Sequence, residues 1–313
     1  MKIKAYAKIN LGLDVLKKRA DGYHDVKMIM QTIGIFDVLD VEIGIAGDKN
    51  AVSLGEYGKI KVACGDESVP CDETNLVCKA AKAFFEYTDT KADVSVKIEK
   101  NIPVGAGLAG GSTDAAAVLR ALNILLETNV STEKLMQIAA KIGADVPFCV
   151  VGNTYLAEGI GEILTPIKSK LKFDILLVKP PFSVSTPTVY KSLELNENTT
   201  HPDIDKIKAA LENENNLKIE ENLKNTENSK SENNSVIYEN LGNTLEDVTL
   251  KMHGEIGKIK QSLKNLGARA TLMSGSGPSV FAIFDDRQKL DNAYKIMKKK
   301  YKQTYLTSTL NNV

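Results

Sequence analysis

Tryptophan is absent from this chain of 313 residues, and histidine occurs only three times. Cys64, Cys71, Cys78 and Cys149 form no CxxC pair and have no histidine at metal-ligand spacing, which argues against a structural zinc site. They read instead as reduced thiols packed as small hydrophobes. Charge of one sign is lacking too: 40 Lys and Arg balance 40 Asp and Glu. A nucleic-acid binder relying on a basic surface would carry excess cations, so that class loses ground, although one local cationic pocket fits the balance. No apolar run approaches the roughly 18 residues that span a bilayer. Met1 to Lys8 lacks the apolar core of a secretory signal. The chain is therefore expected in the cytoplasm, with no membrane and no nucleic-acid partner. Composition is silent on an oligomeric partner.

What the chain does contain is 43% hydrophobic and 26% charged residues, enough for a sizeable core. At about 150 residues per domain, its length suggests two domains. Residues 3–13 alternate as a strand, with Ile3, Ala5, Ala7, Ile9, Leu11 and Leu13 on one face and Lys8 and Asn10 on the opposite one. β-rich runs follow at 24–35 and 37–43, then a hairpin region with loops over 45–73. Helices are expected over 73–87, 112–126, 131–143 (from a Ser131 N-cap to a Gly143 C-cap), 187–195, 243–266 and 286–299. Further strands are expected at 92–98, 173–179, 271–273 and 280–284. Alternating strands mixed with helices, without a strict βαβ repeat, predict an α+β architecture over a doubly wound sheet. Residues 212–235 hold eight Asn and six Glu against three apolar residues. Burial that poor does not offset ordering entropy, so the segment reads as a solvent-exposed insertion.

The strongest chemical signal is Pro103-Val104-Gly105-Ala106-Gly107-Leu108-Ala109-Gly110-Gly111-Ser112-Thr113-Asp114, set between a strand and an Ala-rich helix. Its glycines permit positive φ and a close backbone approach, and the helix start offers free N–H groups and a positive dipole end. Together these suit a di- or triphosphate. Neither a Walker loop nor a dinucleotide fingerprint fits. Asp145, just past a helix end in a Gly-flanked apolar setting, could deprotonate a hydroxyl or merely cap a turn. Taken alone, Lys8 fits a solvated strand lysine, Ser112 a plain N-cap, and Tyr23 and His24 ordinary loop residues. His201 and His253 sit in no motif and read as surface residues.

The Pro103–Ala116 stretch resembles the phosphate-binding motif of the GHMP kinases, the family of galactokinase, homoserine kinase and mevalonate kinase. Ala5 to Leu13 resembles the family's N-terminal motif, and Met273 to Ser279 its C-terminal Gly-rich loop. Arg19 to His24, Met30 to Ile33, Gly143 to Pro147 and Ala157 to Pro166 are similar to one subgroup. Its members phosphorylate the 2-hydroxyl of a cytidine-diphosphate-linked methylerythritol in non-mevalonate isoprenoid biosynthesis. The resemblance covers the chain except about residues 195–240.

The resemblance implies a two-domain α+β GHMP kinase fold with the active site in the cleft between domains. It implies an ATP-binding domain over 1–165 and a C-terminal domain over 166–313, with a polar insertion at about 196–238. By the same resemblance Asp145 is the catalytic aspartate and Lys8 the lysine that orients it. Pro103 to Thr113 would hold the phosphates of ATP with Mg²⁺, Ser112 being a candidate metal or phosphate contact, while Asn75 and Lys100 line the adenine site. Asn10, Tyr23, His24, Ile160 and Tyr190 would meet a small cytidylyl substrate. Tyr23 and Tyr190 would sandwich the cytosine; His24 and the Ile160 backbone would bond its edge. The family commonly has Phe where Tyr190 stands, a change that preserves stacking. A homoserine- or mevalonate-type kinase remains a second reading, although such relatives need no cytosine platform. A catalytically silent ligand-binding relative would be expected to lack Asp145 or Lys8, and both are present.

Overall fold

The computed structural model of the chain describes residues 1–44, 51–217 and 234–313. It is a mixed α and β structure, as the spacing predicted. Two compact units emerge, neither of them contiguous in sequence. The first holds Met1–Ala7, Ile35–Val104 and Ala109–Gly152; the second holds Lys8–Gly34, Gly105–Leu108 and Asn153–Val313. Strands β1 (Lys2–Lys18) and β2 (His24–Ile43) contribute residues to both.

In the first unit, the distal half of β2 pairs antiparallel with β5 (Val94–Glu99), Val38 facing Glu99 and Ile43 facing Val94. Parallel to β5 runs β4 (Lys59–Cys64), which carries the short β3 (Val52–Ser53) on its far side. Among the described residues this unit has four α-helices: α1 (Leu76–Thr88), α2 (Gly110–Leu125), α3 (Thr132–Ala140) and α4 (Val146–Val151). Residues 113–119 of α2 and Ala121 and Leu122 are all buried, which marks it as the central helix. The Val77, Ala80, Ala81 and Phe84 stripe of α1 is buried too; truncating a core Phe such as Phe84 costs about 3–5 kcal/mol.

In the second unit, the proximal half of β2 pairs with β6 (Thr154–Glu158), and β6 with β7 (Ile163–Pro166), all antiparallel. A four-stranded antiparallel sheet has the order β11-β8-β10-β9, built from β8 (Asp174–Lys179), β9 (Ala270–Met273), β10 (Val280–Phe284) and β11 (Gln303–Ser308). Its helices are α5 (Thr186–Lys191), α6 (Ile204–Leu217), α7 (residues 234–240), α8 (Glu246–Met252), α9 (Gly254–Asn265) and α10 (Arg287–Lys300).

Several sequence expectations are revised. The Lys8–Asn10 face of β1 is not solvent-facing, because every residue from Ala7 to Val15 is buried. A Cβ on Gly12 would lie 2.6 Å from the Ile204 side chain, so α6 covers β1 as closely as glycine permits. The runs at 24–35 and 37–43 form one strand. The helix expected to end at Gly143 ends at Ala140, and no αL cap forms there. The 243–266 stretch is two helices broken at His253, whose φ and ψ of −138° and 76° leave helical space. Elements β6, β7, β11, α4, α6 and α7 were not anticipated. Within the expected 196–238 insertion, Ile204, Ile207, Ala210 and Leu211 form a buried face of α6. The rest of the Asn- and Glu-rich expectation falls largely outside the described residues. His201 is exposed, as expected, and its Nδ1 lies 2.6 Å from Asp14 Oδ1.

Candidate active site

Between β5 and α2 the chain makes a tight turn in which Gly105, Gly107 and Ala109 take φ of 60°, 73° and 58°. No side chain caps the N-terminus of α2, so its first amides are left to an external acceptor. Glycine is obligatory at 107, where a Cβ would run into the Ser274 carbonyl oxygen. Pro103, Ala106 and Leu108 are buried, Val104 is half-buried, and Gly105 and Gly111 are exposed. The Thr113 hydroxyl donates to the Tyr6 carbonyl at 2.7 Å, whereas Ser112 is half-exposed.

Lys100, just past the end of β5, lies in a buried ion cluster. Its Nζ lies 2.5 Å from Asp37 Oδ2 and 2.7 Å from Asp114 Oδ2. Burial pulls the Lys100 pKa down, but Asp114 and Asp37 outweigh it and the net shift is upward. Burial pushes the Asp114 carboxyl up to about 7, against the pull of Lys100. Asn75 caps α1: its Oδ1 accepts from Val77 N at 2.9 Å and its Nδ2 donates to the Pro70 carbonyl at 2.6 Å. The neighbouring Leu76 side chain would sit 3.7 Å from a Cβ on Gly111, so the starts of α1 and α2 adjoin.

In the second unit, residues 274–279 make the turn between β9 and β10, with positive φ at Gly275 and Gly277. This turn packs on the glycine loop: Ser274 Oγ donates to the Gly107 carbonyl at 2.9 Å. Asn243, which no sequence signal singled out, donates through Nδ2 to the Met273 and Gly275 carbonyls at 2.9 and 2.8 Å. Glu246 accepts from Met273 N at 2.6 Å. The same unit joins Lys8 to Asn10, both buried, through an Nζ to Oδ1 bond of 2.9 Å.

Tyr23 is 60% exposed, in a loop held by Arg19 with Asp21 and Asp25. The His24 and Tyr190 rings lie 5.2 Å apart, tilted by 39°. Burial, then Lys18, lowers the His24 pKa from its ordinary 6.5, favouring the neutral imidazole. The Ile160 amide donates to Glu162 Oε2 at 2.7 Å, so a base edge arriving there would have to displace that carboxylate. Asp145, in the first unit, is half-buried just ahead of α4 and makes no side-chain capping bond to that helix. Among the described residues no helix is long and apolar enough to cross a membrane.

Two family models match: the GHMP kinases N terminal domain over residues 75–153 and the GHMP kinases C terminal domain over 219–303. The chain is 46% identical over 310 residues to the 4-diphosphocytidyl-2-C-methyl-D-erythritol kinase of Clostridium beijerinckii, covering 99% of this chain and 100% of that one. The chain belongs to the GHMP kinase family. A Clostridium perfringens protein of the same name is 43% identical to this GHMP kinase over 314 residues, covering 100% of this chain and 99% of that one. A crystal structure of 4-(cytidine 5'-diphospho)-2C-methyl-D-erythritol kinase is similar with a TM-score of 0.76 and 27% identity, across the whole of both chains. Homoserine kinase from Cytophaga hutchinsonii shares the fold, with a TM-score of 0.69 and 18% identity over 99% of this chain and 95% of that one.

Proposed function

We propose that this GHMP kinase transfers the γ-phosphoryl group of ATP to the 2-hydroxyl of 4-diphosphocytidyl-2-C-methyl-D-erythritol, giving the 2-phosphate and ADP, as a step toward isoprenoid precursors. The carrying observation is full-length identity of 46% to a kinase named for that substrate. The exposed Tyr23 and the adjacent His24–Tyr190 ring pair support it, because a cytosine needs an aromatic platform and a hydrogen-bonding edge.

In the transfer, the substrate hydroxyl oxygen forms a bond to the γ-phosphorus while the bond to the β,γ-bridging oxygen breaks and ADP leaves. Positioning and charge neutralisation supply most of the acceleration. Amides of the Gly105–Ser112 loop and the uncapped start of α2 are assigned to the phosphates. Asp145 is assigned to accept the hydroxyl proton, and Lys8 to supply positive charge beside the reacting oxygen. Asn10, Tyr23, His24, Ile160 and Tyr190 are assigned to the cytidylyl substrate, and Asn75 and Lys100 to the neighbourhood of the adenine.

Mg²⁺ would neutralise the β- and γ-phosphates when bound. The donor set fits an ion arriving with the nucleotide: among the described residues no group of three or more His, Cys, Asp or Glu could hold a metal, while the Ser112 hydroxyl is half-exposed at the helix start. A cytoplasmic setting is part of the reading, supported by four cysteines that form no disulfide among the described residues.

The test is ADP release by the purified chain offered the cytidylyl substrate, mevalonate and homoserine in turn. Turnover with the first is expected; turnover with one of the others and not the first would reassign the substrate.

A further inference from the structure

We infer that Asp37 is a positioning residue of the phosphate-binding loop, tying the loop's entry to the first turns of α2 through Lys100. Asp37 lies in β2, far in sequence from the glycine motif, and is fully buried. One of its oxygens, Oδ1, accepts the backbone N–H groups of Asn101 and Ile102 at 2.5 and 2.7 Å. The other accepts from Lys100 Nζ, which also reaches Asp114 on α2. One carboxylate thus fixes the backbone at the loop entrance and, through a shared ammonium, the helix at the loop exit. A Cβ on Gly110 would sit 3.0 Å from Lys100 Nζ, so the ammonium passes directly beneath the helix start.

Stability alone is a weak reason for such a cluster. The three side chains are 0 to 5% exposed, and two carboxylates face one ammonium. Asp114 Oδ1 is buried without any partner. Desolvating that arrangement costs as much as it returns, and apolar residues of similar volume would stabilise the fold as well. Apolar residues would not hold two specific amides in a set direction. The loop beyond them is rich in glycine and α2 has no side-chain cap, so nothing local determines where the loop's remaining amides point. Because Asn101 and Ile102 are turned onto Asp37, the free amides toward a phosphate begin further along, at the glycines.

The inference rests on the reading of Gly105–Ser112 as a phosphate site and not on the identity of the acceptor alcohol. It is tested by calorimetric ATP binding and by steady-state KM values for ATP and for the cytidylyl substrate, on full-length Asp37→Ala, Asp37→Asn and Asp37→Glu. Asp37→Ala is expected to weaken ATP binding by about tenfold or more, the worth of a charge-assisted hydrogen bond, with the KM for the alcohol unchanged. Asp37→Asn keeps an acceptor oxygen for both amides but turns an NH2 donor toward Lys100, and is expected to recover only part of the ATP affinity. Asp37→Glu keeps the charge but displaces the carboxylate, and is expected to bind ATP less well than Asp37→Asn. A folded Asp37→Ala chain with wild-type ATP affinity, or with equal losses for both substrates, overturns the inference. If Asp37→Ala does not fold, equal ATP affinity in the wild type, Asp37→Asn and Asp37→Glu overturns it. A wild type that binds ATP yet ignores the cytidylyl substrate refutes the substrate assignment alone. A wild type without measurable ATP affinity overturns both.

Discussion

The Ser274 hydroxyl donates to the Gly107 carbonyl at 2.9 Å, fastening the β9–β10 turn to the backbone of the glycine loop. Gly107 holds φ at 73°, and the atoms facing its α-carbon belong to backbone that has no room to yield. Gly107→Ala should therefore lose about 1–2 kcal/mol through left-handed strain alone, with the steric clash added. Ser274→Ala removes one hydrogen bond and should cost about 0.5–1.5 kcal/mol. Thermal unfolding ranks the two, and the ATP KM should rise further for Gly107→Ala. An unchanged ATP KM in Gly107→Ala would detach this contact from nucleotide binding.

Asp145→Asn keeps the shape of the side chain and removes its ability to take a proton at neutral pH. Turnover should fall by about 10²–10⁴-fold while the KM for ATP stays near the wild-type value. A variant that retains near-wild-type kcat removes Asp145 from the chemistry.

Tyr23 is 60% exposed, so Tyr23→Ala should change stability by no more than about 0.5 kcal/mol. Stacking of a base on an aromatic ring is worth about 1–3 kcal/mol, and the KM for the cytidylyl substrate should rise by a corresponding factor. The KM for ATP should not follow. Equal changes in both sink the stacking assignment.

His24 has a depressed pKa, so the folded chain binds its proton more weakly than the unfolded chain does. Its contribution to stability is complete above its ordinary value of 6.5 and declines as the pH drops through 6.5 toward the lower folded value. Denaturant unfolding at about pH 7.5 and about pH 5.5 should show a larger acid-induced loss in the wild type than in His24→Gln. Identical losses would place the acid sensitivity elsewhere.

The glycine loop, the amphipathic stripes of α1 and α2 and the strand pair β9–β10 were legible because each depends on residues a few positions apart. Positive φ at Gly105 and Gly107 and the Ser131 cap of α3 are of this kind. Helix α6 was hidden because its Ile204, Ile207, Ala210 and Leu211 face leads straight into the Asn- and Glu-rich tract, whose composition masked the period. Short strands such as β7, with four residues and little burial, carry no period to read.

Order along the chain by itself determined the family, the glycine-loop backbone and most helices, since backbone dihedral preference and helical or strand period belong to contiguous residues. Tertiary structure alone decided where the buried polar groups found partners. Lys100 carried no mark of Asp37 and Asp114, Asn243 none of the Met273 and Gly275 carbonyls, and the Ile160 amide none of Glu162. A desolvated donor or acceptor must bond whatever the fold brings within about 3 Å, and sequence separation does not enter that requirement.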